Sequence, residues 1–130
     1  MRRSKIGFRG GVLVTGIALL AVLVVPAALA QRSAAPPAKD LAAGKATFSS
    51  TCSACHTLKQ AGAVGQIGPN LNKVKPPLTL ALYIKAITNG GSSVMTKAQI
   101  AKYTTQMTPY KGVLSATQIK QVAEYLDSVT

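Results

Sequence analysis

The chain has 130 residues, room for one small domain beside any segment that is cleaved or inserted in a membrane. Its formal charge is +12, and the eleven Lys or Arg beyond residue 30 still outnumber three acids by eight, a balance that favours acidic partners. The lysines are scattered singly from Lys39 to Lys120 with no nucleic-acid-binding motif beside them, which argues against DNA or RNA, and two cysteines with one histidine cannot close a four-ligand Cys/His zinc site.

Residues 1–30 have the order of a secretory signal. Arg2, Arg3, Lys5 and Arg9 precede an apolar run from Val12 to Val25, Pro26 breaks it, and Ala28-Leu29-Ala30 offers small residues before Gln31. Residues 11–30 are also long enough to span a bilayer as an uncleaved anchor. Both readings put the remainder outside the cytoplasm, in the periplasm or on the outer face of the cytoplasmic membrane. Residues 31–39, with Pro36 and Pro37 adjacent, form an extended Pro/Ala-rich linker.

The folded domain is expected over 40–130. Asp40 is a candidate N-cap, and Leu41, Gly44, Phe48 and Cys52 recur along one helical stripe. A glycine inside a helix costs up to about 1 kcal/mol relative to alanine, so a close helix crossing is expected at Gly44.

The stripe runs into Cys52-Ser53-Ala54-Cys55-His56. Two thiols three residues apart can each add to one vinyl group of haem, and the imidazole that follows can serve as an axial iron ligand. A thioredoxin-like disulfide would need a βαβ pattern, and none is legible. Beyond residue 30 the aromatics are Phe48 and four tyrosines, with no Trp; a buried porphyrin would fill much of the missing core volume.

Gly68-Pro69-Asn70 reads by itself as a turn. A helix is expected over 79–89, with Leu80, Tyr83, Ile84 and Ile87 on one face and Gly90 as its stop. A shorter one is expected over 96–103. Because His56 is the only histidine, the second axial position has Met95, Met107, a lysine or nothing. Ser115 with Gln118 forms a capping box for the last helix, where Ile119, Val122, Ala123, Leu126 and Val129 share a face that Tyr125 flanks.

Taken together, Gly44 and Phe48 leading into Cys52-x-x-Cys55-His56, then Gly68-Pro69-Asn70-Leu71, then Met107 shortly before Leu114-Ser115 and a final helix, resemble the class I c-type cytochromes. The resemblance covers Leu41 to the C-terminus. It implies an all-α fold of three to five helices around one covalently bound haem c, with the final helix crossing the first near Gly44. It also implies thioethers from Cys52 and Cys55, iron ligation by His56 and Met107, and a Pro69 carbonyl that accepts the second imidazole proton. Thr108 stands where the family often has a first proline after the methionine.

The function so implied is one-electron transfer between redox partner proteins in an extracytoplasmic respiratory or dehydrogenase-linked chain, with no substrate turnover. Two alternatives are a haem subunit held permanently in a larger oxidoreductase, and a haem enzyme or sensor with an open sixth site. The latter would want a distal histidine or arginine constellation that the sequence does not offer.

Overall fold

The structure, a computed structural model, describes residues 35–130. The signal or anchor reading of 1–30 and the first part of the linker lie outside the described residues. Among the described residues no helix is long and apolar enough to cross a membrane.

Four α-helices carry the fold: α1 (Ala38–Thr51), α2 (Leu80–Asn89), α3 (Lys97–Ile100) and α4 (Ala116–Val129). Short 3-10 turns connect them. The only strands among the described residues are β1 (Thr57–Leu58) and β2 (Ala63–Val64), a small antiparallel pair with Thr57 opposite Val64. The architecture is therefore all-α, as expected.

Helix α1 begins three residues earlier than an Asp40 cap would place it. Ala38 and Lys39 are already helical, and Pro37, with extended backbone, occupies the cap position. Its carbonyl accepts from the amides of Asp40 and Leu41 at 2.8 and 3.2 Å. Asp40 is thus not the N-cap. It sits in the first turn, where its charge suits the helix dipole, and its Oδ1 accepts from Gln121 Nε2 of α4 at 2.9 Å.

The Ser115–Gln118 capping box forms as expected, and Thr79 and Thr96, expected as first helical residues, are caps. Thr79 caps α2, and Ser115 and Gln118 exchange backbone hydrogen bonds at the start of α4. Thr96 and Gln99 do the same for α3. That helix, expected to reach Tyr103, stops at Ile100. Lys102 and Tyr103 donate to carbonyls three residues back, and Gln106 Nε2 donates to the carbonyls of Ile100 and Tyr103.

The core lies where α1 meets α4 and α2 closes over them. Phe48, Leu58 and Val122 are wholly buried, and the rings of Phe48 and Tyr125 pack at 6.3 Å with a tilt of 57°. Such tilted aromatic pairs are favourable beyond their buried area. Tyr83 of α2 reaches the C-terminal residue through a 2.7 Å hydrogen bond to Thr130 Oγ1. Glu124 is buried and is ion-paired to Lys120 one turn earlier on α4.

At Gly44 the backbone of α1 comes directly against that of α4. A methyl group there would lie 2.1 Å from the carbonyl oxygen of Gln121 and 2.9 Å from Tyr125 Cβ. Backbone cannot yield as a side chain can. We therefore expect Gly44→Ala to destabilise the holoprotein by about 1–3 kcal/mol, lowering the thermal midpoint by about 4–8 °C per kcal/mol in a domain of this size. An unchanged midpoint would contradict the backbone contact.

Candidate functional site

The end of α1 delivers the cysteine motif into the interior. Cys52 and Ser53 donate to the Phe48 carbonyl, and Cys55 and His56 then donate to the Cys52 carbonyl at 3.1 and 3.0 Å. The motif is thus a tight turn continuing the helix. Both cysteines are free and half-buried. Before any haem is attached, burial, with a smaller contribution from neighbouring Cys55, pushes the Cys52 thiol up to about 11.

His56 is oriented from outside the motif. Gly68 N donates to the Cys55 carbonyl at 2.8 Å, which draws the 68–70 turn against the histidine and brings Pro69 O to 2.9 Å from His56 Nδ1. A carbonyl can only accept, so in the neutral imidazole Nδ1 carries the proton and Nε2 keeps its lone pair. Gly68 makes the approach possible. A methyl group on it would lie 2.6, 3.0 and 3.1 Å from Cε1, Nδ1 and Nε2 of the ring.

Met107 is held from the far end of α2. Tyr110 N donates to the Ile87 carbonyl and Lys111 N to that of Thr88, at 3.0 and 3.3 Å, while the Met107 carbonyl accepts from Gly91 N at 3.1 Å. Gly90, at φ +90°, takes a conformation that side chains disfavour. A methyl group there would also lie 2.8 Å from Met107 O.

These segments enclose a cavity of about 750 Å³, in the range of small-molecule sites. Cys52, Cys55, His56, Pro69 and Met107 all line it, as does Met95. Of the α2 face, Tyr83 and Ile87 line the cavity, and Leu80 and Ile84 pack on the core beside it. Phe48, Val122 and Leu126 supply apolar wall from α1 and α4. Tyr110 also lines the cavity, and burial, followed by the nearby Cys52 and Cys55, raises its hydroxyl pKa above the ordinary value.

Sequence reasoning did not assign Gly68 its contact with the imidazole ring, nor Gly90 and Gly91 theirs with Met107. The only available signal was an adjacent glycine pair closing a helix, which reads equally as a simple stop.

The family model described as Cytochrome c matches residues 41–130. The chain belongs to the cytochrome c family. Among solved structures, this cytochrome is similar to the c-type cytochrome SorU from Sinorhizobium meliloti, at 29% identity and a TM-score of 0.51, over 70% of this chain and 91% of that one. No curated protein matches it. As a member of the family the cytochrome carries covalently bound haem c with iron and works in electron transfer.

The cavity fits that group by its own features. Its volume is large for so small a domain, its walls are largely apolar, and its polar corner presents two free thiols beside an imidazole whose Nε2 lone pair is unengaged by the proline carbonyl.

His56, the sole histidine, can be followed alone by histidine-selective 15N labelling of the reduced holoprotein. We expect a slowly exchanging Nδ1–H in the natural protein and its loss in Gly68→Ala, with destabilisation of about 1–3 kcal/mol from overpacking. A proton equally protected in both would contradict the tight Gly68 contact.

Proposed function

We propose that this cytochrome is a one-electron carrier with His/Met axial ligation and no substrate turnover of its own. When bound, haem c supplies an iron couple that gains and loses a single electron. Cys52 and Cys55 would hold the group through thioethers, and His56 Nε2 and Met107 Sδ would ligate its iron. Pro69 O holds the imidazole in one tautomer and orientation, a contact of the kind that also raises ligand basicity. The Met107 thioether, a soft donor, favours the reduced state.

The observation that carries this reading is the 2.9 Å approach of Pro69 O to His56 Nδ1 beside an apolar cavity that Met107 also lines. The remaining residues exclude water and hold the ligands still, so little need rearrange when an electron arrives. The excess of lysine favours partners with acidic docking surfaces. We further infer that residues 1–30 direct export to the periplasm or anchor the domain at the outer face of the cytoplasmic membrane, where it serves a respiratory or dehydrogenase-linked chain.

An optical spectrum of the matured protein tests the ligation. A c-type reduced spectrum, a weak long-wavelength methionine-to-iron band on oxidation and no response to carbon monoxide are expected. Absence of that band together with carbon monoxide binding would instead favour a sensory or catalytic haem.

A further inference from the structure

Met95 lies between two fixed elements. Its amide donates to the Ser92 carbonyl at 3.4 Å, closing the 3-10 turn Gly91–Val94, and Thr96 after it caps α3. Its half-buried side chain lines the same cavity as His56 and Met107. A methyl group on Gly91 would lie 3.9 Å from Met107 Sδ and 4.0 Å from Met95 Sδ. Both thioethers therefore flank a single side-chain-free position, and no more than the sum of those distances separates the sulfurs.

We propose that Met95 is a substitute sulfur ligand, able to take the iron position served by Met107 when the Met107 thioether is lost or displaced. The inference rests on the His56/Met107 reading above. Three features carry it beyond ordinary packing. The two sulfurs have the same soft donor chemistry. The methionine side chain has three rotatable bonds and adapts to irregular space, and glycine at 91 keeps a further side chain from coming between the two, since a methyl group there would already lie 3.2 Å from Met107 Cβ. The backbones are also linked, because Gly91 N holds the Met107 carbonyl and Gly91 opens the turn that ends at Met95. Residues 104–106, 108 and 109 around Met107 are exposed, whereas Met95 stands between the Gly91–Val94 turn and the Thr96 cap of α3. The cytochrome would then keep a filled sixth site.

The test uses matured holoprotein, reading the methionine-to-iron band on oxidation and carbon monoxide binding on reduction. Met95→Ala should keep the band. Met107→Ala should retain a methionine-type band, shifted in position, and resist carbon monoxide. Met107→Leu, which preserves volume, serves the same purpose should the alanine variant load haem poorly. The double variant Met95→Ala/Met107→Ala should lose the band and bind carbon monoxide. If either Met107 variant behaves like the double one, Met95 is not a ligand and the primary assignment stands. If Met95→Ala loses the band while Met107→Ala keeps it, the assignment of Met107 itself is wrong, and the substitute role falls with it.

Discussion

The backbone contact between α1 and α4 at Gly44 is the constraint on which the rest depends. It joins the first and last helices of the described chain, and each contributes wall to the cavity: Phe48 from α1, Val122 and Leu126 from α4. A side chain at 44 would wedge those walls apart. The same crossing carries the Asp40–Gln121 hydrogen bond near the start of α1 and the Phe48–Tyr125 ring contact further along it. Helix α1 then runs directly into the cysteine motif, so the position of Cys52 inherits the accuracy of the crossing.

Glycine recurs for the same physical reason at the cavity itself. At 68 it lets a turn press against the His56 ring, and at 90 and 91 it lets the end of α2 press against Met107. Both proposed axial ligands are thereby backed by main chain, which offers hydrogen-bonding groups at fixed positions and loses no side-chain entropy on folding. The carbonyl of Pro69 and the amide of Gly91 serve as orienting groups. A fold with few aromatics and one histidine can in this way hold a large apolar cofactor with backbone where side chains are scarce.

The features legible in the sequence were local ones. The Ser115–Gln118 box, the helix over 79–89 and the stripe from Leu41 to Cys52 depend on spacings within a few turns, and the folded chain has them, with Thr79 as the cap of its helix. The Cys52–His56 motif stands out because its three reactive residues are contiguous. Contacts between distant segments were less accessible. Asp40 reads as a cap because its type suits one, yet Pro37 takes that position and Asp40 turns to Gln121, 81 residues away. Helix α3 stops at Ile100, where the amides that follow bond three residues back and Gln106, beyond the expected helix, donates to the Ile100 and Tyr103 carbonyls, and Gly91 gains meaning only once Met95 and Met107 are seen beside it. The Gly68-Pro69 pair was informative through the family resemblance; by composition alone it remained a turn.

The most direct measurement is the proton NMR spectrum of the reduced holoprotein labelled at methionine methyl groups, with each methyl correlated to its own residue. Ligation by Met107 predicts that its methyl signal is displaced far upfield by the porphyrin ring current, while Met95 remains much closer to the ordinary methionine position. A Met107 methyl at an ordinary shift would contradict His56/Met107 ligation.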